Sequence, residues 1–206
     1  DWSWSPLAAD FDHDGDRDLL ITNGFPKDIT DRDFMDYNLS VGNIASRKML
    51  LPKIPSVKVV NYAYANDGGE VPSFCKVTKE WGLNTPSYSN GAAYADLDGD
   101  GDLDYVVNNI NDKCFLYRNT LMDREAEKGN YLAVRLRQQN GNTAAIGARV
   151  DLADQQGRLL APAYQNPVRG YLSSVSQDLH FGLDTLTTAN LTVTWPDGRQ
   201  SRHAVT

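Results

Sequence analysis

The stretch NGAAYADLDGDGDLDYVVNN (90–109) and its earlier counterpart SPLAADFDHDGDRDLLITNG (5–24) decide how this chain folds. Each passes from small and apolar residues through alternating aspartates into a β-rich run closed by Asn. That run is Leu19-Leu20-Ile21-Thr22 in one copy and Tyr105-Val106-Val107 in the other. The order predicts strand, tight acidic loop, strand: a hairpin whose turn is the aspartate run. The copies lie 86 residues apart. Common blade repeats span roughly 40–50, so an insertion is expected in the first unit.

Within the loops, carboxylates fall at positions 1, 3, 5 and 9: Asp10, Asp12, Asp14 and Asp18, then Asp96, Asp98, Asp100 and Asp104. Position 6 is Gly15 or Gly101, where a turn needs a positive φ. Position 7, Asp16 or Asp102, would offer its backbone carbonyl and leave its side chain outside. Calcium takes six to eight hard oxygen ligands, and alternate residues of a tight loop can all point inward. Four free carboxylates in so small a space repel one another and would open an unliganded loop. Two Ca²⁺ sites are therefore expected, with Mg²⁺ disfavoured by its stricter octahedral geometry. An EF-hand is excluded, because position 12 is Ile21 or Val107 inside a strand rather than a bidentate Glu before a helix.

Working outward, residues 28–56 lack strand alternation and end near Pro52, so they are read as the insertion, with one or two short helices. Strands are predicted at 57–65, 74–78 and 114–118. A charged stretch, 123–129, reads as a linker. Beyond it Leu132, Val134 and Leu136 alternate with Arg135 and Arg137, and Ala148, Val150 and Leu152 or Leu191, Val193 and Trp195 repeat the pattern. Turns at Asn140-Gly141, Gln156-Gly157 and Pro196-Asp197-Gly198 separate these strands. The expected fold is all-β. Residues 1–122 form about two blades of a partial β-propeller, and 130–206 a small β-sandwich.

The 206 residues carry 20 Lys+Arg and 27 Asp+Glu, a formal charge of −7, yet the two nine-residue loops hold 10 of the acids and only one base, Arg17. The acidity is local, which argues against nucleic acid as a partner. Hydrophobic residues make up 41% and mean hydropathy is −0.48, an ordinary soluble composition. No run reaches the ~20 apolar residues of a membrane helix. The start at Asp1-Trp2-Ser3-Trp4 reads as a processed terminus or a piece of a longer polypeptide.

No nucleophile elbow, P-loop, dinucleotide fingerprint or zinc spacing is present. Spare carboxylates at Asp33, Asp36, Glu70 and Glu80 form no motif. His180 reads as packed in its apolar LHFGL run and His13 as solvated. Trp2, Trp4, Trp81 and Trp195 read mainly as packing residues. Tyr88, Tyr164 and Tyr171 are the places to look for a glycan, and Arg169-Gly170-Tyr171 reads as a turn that could also meet an anion. Cys75 and Cys114 could pair or stay free.

The acidic repeats resemble FG-GAP/VCBS-type β-propeller repeats, with NYAYANDG (61–68) and FCKVT (74–78) similar to their outer strands. The segments GNYLAVRLR (129–137), IGARV (146–150), RGYLSS (169–174), LHFGL (179–183) and VTWPDGR (193–199) resemble the ASPIC/UnbV domain. This pairing is that of cartilage acidic protein relatives and of Bacteroidetes surface proteins beside nutrient-uptake systems. It implies an exported, non-enzymatic, calcium-binding adhesion module at the cell or outer-membrane surface. The implied partner is carbohydrate or a protein of an uptake complex. Since a propeller closes with roughly four to eight blades, the remaining blades would come from the same longer protein or a partner chain. The alternatives are part of a polysaccharide-processing enzyme with its active site elsewhere, or a scaffold.

Overall fold

The computed structural model describes residues 2–69, 71–124, 129–139 and 141–206. Two antiparallel meanders come first. One has β1 (Ser3–Ala9), β2 (Asp18–Asn23), β3 (Tyr62–Asn66) and β4 (Phe74–Lys76), paired in that order. The other has β5 (Ser89–Ala95), β6 (Asp104–Asn109) and β7 (Phe115–Tyr117). Their leading hairpins match residue for residue. Ala9 pairs with Asp18 as Ala95 pairs with Asp104, and both slip register at the same place, between Ser3 and Pro6 and between Ser89 and Ala92. Each pairing closes around an acidic loop, so the loop is the hairpin turn.

The insertion sits between the second and third strands of the first meander. There the chain runs from Asn23 to Tyr62, whereas Asn109 and Phe115 are joined by a short turn. It contains α1 (Arg32–Val41), α2 (Arg47–Leu50) and a 3₁₀ turn, Leu51–Lys53. Asp31 caps α1 by accepting from the Phe34 N–H, and Gly42 ends it. No residue of α1 is buried, and Met35, Tyr37 and Leu39 face solvent.

After the meanders come β8 (Asn130–Val134), β9 (Arg149–Ala153), β10 (Leu159–Tyr164), β11 (Leu179–Asp184), β12 (Ala189–Thr194) and β13 (Gln200–Val205). They form a four-stranded sheet, β10-β9-β12-β13, and a two-stranded one, β11-β8. Alternation explains the packing between them. Val150 and Leu152 of β9 and Leu191 and Val193 of β12 point at Phe181 and Leu183 of β11. The outward-facing Arg135 pairs instead with Asp178. The chain is all-β apart from the insertion. No helix among the described residues is long and apolar enough to cross a membrane.

The meanders share a second core, built from Leu7, Phe11, Leu20, Ala63, Leu83, Ala92, Leu103, Tyr105 and Val107. Trp81 packs on Phe11, and Trp195 lies against the sandwich core. Cys75 and Cys114 are free and exposed, and the Cys75 thiol bonds Asp67. The Asn140 half of one expected turn, most of the 123–129 stretch and Glu70 lie outside the described residues.

Leu7 and Leu152 are each about 1% exposed, one in each core. Truncating either to Ala should cost about 3 kcal/mol, the lost transfer energy plus a cavity. Denaturant midpoints check this, and a loss below about 1 kcal/mol would mean a looser core than the packing implies.

Candidate metal centre

The two acidic loops share one backbone design. Positions 4 and 6 both take positive φ: His13 (64°) and Gly15 (94°), Gly99 (78°) and Gly101 (106°). The position-2 N–H donates to the position-9 carboxylate, Phe11 to Asp18 at 2.8 Å and Leu97 to Asp104 at 3.0 Å. The other oxygen of that carboxylate accepts from an Asn N–H: Asn66 at the end of β3, at 3.0 Å, and Asn119 two residues past β7, at 2.9 Å. The position-7 N–H donates to position 5, Asp16 to Asp14 and Asp102 to Asp100. Asp18 and Asp104 therefore clamp each loop to its own meander. The repeated Tyr-x-Asn, Tyr64-Ala65-Asn66 and Tyr117-Arg118-Asn119, was a readable signal for those asparagines.

Electrostatically the loops differ. In the first, oxygens of Asp10, Asp12 and Asp18 lie within 4.8 Å of one another. Asp10 and Asp18 are buried, and Asp10 Oδ1 has no partner. Burial, reinforced by neighbouring carboxylates, pushes Asp10 up to about 7 and Asp18 up to about 8, and burial raises Asp12 as well. Asp14 is exposed at the tip. The Asp16 carboxylate lies outside the cluster, against Gly68.

In the second loop Asp96, Asp98 and Asp100 gather in the same way. Here, however, Arg118 reaches in from just beyond β7. Its guanidinium meets Asp98 at 2.7 Å and Asp100 at 3.4 Å, with Asp123 at 2.9 Å on its far side. Asp98 is accordingly held below its ordinary carboxylate range. Asp102 is not among these clustered carboxylates. Its side chain is buried and accepts from the Met122 N–H, and burial raises it to about 6. The reason is that the chain leaving β7 passes over it and needs an acceptor.

His13 is a correction, being fully buried rather than solvated. Its ring packs beside His180 (5.0 Å between centroids) and Tyr131 (5.4 Å), and the Tyr131 and His180 rings stack within 9° of parallel. His180 is packed as expected and donates from Nε2 to the Gly101 carbonyl. Burial lowers both histidines, His180 to about 4. This stack joins both loops to β8 and β11. A Cβ at Gly182 would sit 2.0 Å from Asp10 Oδ2 and 2.6 Å from His13 Cα, and one at Gly101 would sit 2.2 Å from the Tyr131 ring.

The elements that receive the loops can now be compared with known proteins. Residues 138–205 match the family model ASPIC and UnbV. The ASPIC/UnbV match spans β9 to β13, so His180 and Gly182 belong to it while Tyr131 precedes it. The resemblance carried by IGARV, RGYLSS, LHFGL and VTWPDGR is thus borne out. No curated protein matches the chain.

Two tests follow. Gly182→Ala should destabilise by about 2 kcal/mol, a Tm loss of about 4–8 °C, because the added methyl meets backbone. An unchanged melt would mean the loop does not bear on β11. For pH, the raised aspartates bind extra protons in the folded state. Metal-free stability should therefore fall as pH rises from about 6.5 through 8, which lies above the ordinary value of the buried histidines. Below about 6.5 the two histidines, whose values burial depresses, oppose this trend and flatten it, because the unfolded chain then binds protons that they do not. Melts in chelator should lose stability as pH rises from 6.5 to 8, and a rise toward pH 8 would overturn the assignment.

Proposed function

We propose that the chain is a calcium-dependent, non-enzymatic binding or adhesion module of an exported protein, contacting carbohydrate or a partner protein at the cell surface. The observation that carries the reading is the first loop: three carboxylates within 4.8 Å, two of them buried, one oxygen unpartnered, and none in an ion pair among the described residues. A divalent cation there removes the repulsion and fills the orphaned oxygen's coordination. Hard carboxylate oxygens suit Ca²⁺, whose affinity in extracellular modules is about 10⁻⁴–10⁻³ M. Bound calcium would pin β1, β2 and β3 through Asp10, Asp12 and Asp18.

The meanders are read here as consecutive FG-GAP/VCBS-type units of a larger propeller. Phe11 is buried where the second meander covers the first, while its counterpart Leu97 is 55% exposed. A further unit, from a longer protein or a partner chain, would cover that face as the second covers the first. Of the spare carboxylates, Asp33 and Asp36 lie on the exposed helix and Glu80 on the surface, and Glu70 lies outside the described residues.

Calcium calorimetry on the full chain tests the proposal. Two binding events are expected, the tighter at residues 10–18, because a cation at 96–104 must displace Arg118. Asp18→Asn should abolish the tighter event. Arg118→Ala should strengthen the weaker one by about fivefold, the worth of an exposed ion pair. Absence of binding at millimolar calcium would sink the proposal.

A further inference from the structure

A cleft of about 390 Å³ lies where the meanders meet the sandwich, at the small end of small-molecule pockets. Two arginines distant in sequence line it: Arg17, at position 8 of the first loop, and Arg169, from the segment between β10 and β11. Their polar contacts are with backbone carbonyls, Arg17 with Pro162 and Arg169 with Tyr164 at 3.3 Å. Among the described residues neither forms an ion pair, whereas Arg118, Arg135, Arg149, Arg158 and Arg199 all do.

Tyr94 from β5 belongs to the same wall. Burial raises its hydroxyl, and the charges of Arg169 and Arg17 oppose that rise. Two guanidinium groups without a counter-charge and a phenol hydroxyl thus face one concave space. Tyr164, 53% exposed, stands beside them. Guanidinium groups match oxyanions in both shape and charge. Of the carboxylates on the wall, Asp178 is already paired with Arg135, and Asp10 belongs to the acidic loop.

We propose that this cleft binds a small molecule bearing an oxyanion, a carboxylate, phosphate or sulfate group, held between Arg17 and Arg169 with the Tyr94 hydroxyl as third donor. The site would be distinct from the cation loops but adjoin the first. Calcium on Asp10 would remove the nearest repulsive charge and so strengthen binding.

The test is calorimetric titration of the full chain with glucuronate, inorganic phosphate and inorganic sulfate in chelator, and with glucuronate again in calcium. At least one probe should bind. Arg17→Gln and Arg169→Gln should each weaken it by about tenfold, the loss of a charge-assisted hydrogen bond. Tyr94→Phe, which removes one oxygen, should weaken it by about threefold. Glucuronate binding alone identifies a carboxylated ligand; phosphate or sulfate binding alone identifies a tetrahedral one. The proposal is overturned if no probe binds, or if binding survives both arginine substitutions in variants that melt like the parent. Calcium binding is read in its own titration, so its failure and the failure of the cleft are separate results.

Discussion

Carboxylates crowded into a turn repel one another, and the rest of this structure is arranged around containing that repulsion. The β1–β2 and β5–β6 hairpins bring both ends of each loop within one pairing distance. The chain at the end of the third strand or just past it then supplies the Asn66 or Asn119 N–H that holds the position-9 carboxylate in place. The negative groups cannot spread without unpairing strands, so the charge must be met where it stands.

The loops meet it differently. The second recruits Arg118 from its own meander, and the half-exposed guanidinium takes the place of a bound cation over Asp98 and Asp100. Among the described residues the first has no such partner. Its one base, Arg17, turns away to the Pro162 carbonyl of β10, and its Asp10 and Asp18 are buried with raised values. Two loops with the same aspartate spacing thus give one whose charge an arginine compensates and another whose buried carboxylates have no ion pair among the described residues. Burial of the first loop is itself a product of docking. Gly182 lets β11 approach Asp10, and the stack of His13, His180 and Tyr131 closes over both turns.

Much of this was legible from the chain. The 86-residue repetition located both hairpins, because tight turns and strands are local and their patterns survive any context. The alternation of Ala148, Val150 and Leu152 marked a core face for the same reason, and all three are buried. The break at residues 28–56 also read correctly, since neither periodicity nor capping there suits a strand. What did not read were contacts between residues far apart. Nothing near His13 announces burial, because its partners Tyr131 and His180 come more than a hundred residues later. Loop spacing says nothing of the burial of Asp102, which the path of the chain after β7 brings about through the Met122 N–H.

The sequence by itself determined the ligand chemistry on offer: ten aspartates at repeated spacing, glycine where the turn requires it, and strands on either side. Those are properties of short segments, set by side-chain type and backbone allowance. Tertiary structure decided which aspartates remain uncompensated, where the arginine charges go, and that one loop doubles as the seam between meanders and sandwich. Electrostatic interactions act through space and depend on burial. Loops with the same aspartate spacing acquire different properties once β11 buries Asp10 in one and Arg118 pairs with Asp98 and Asp100 in the other.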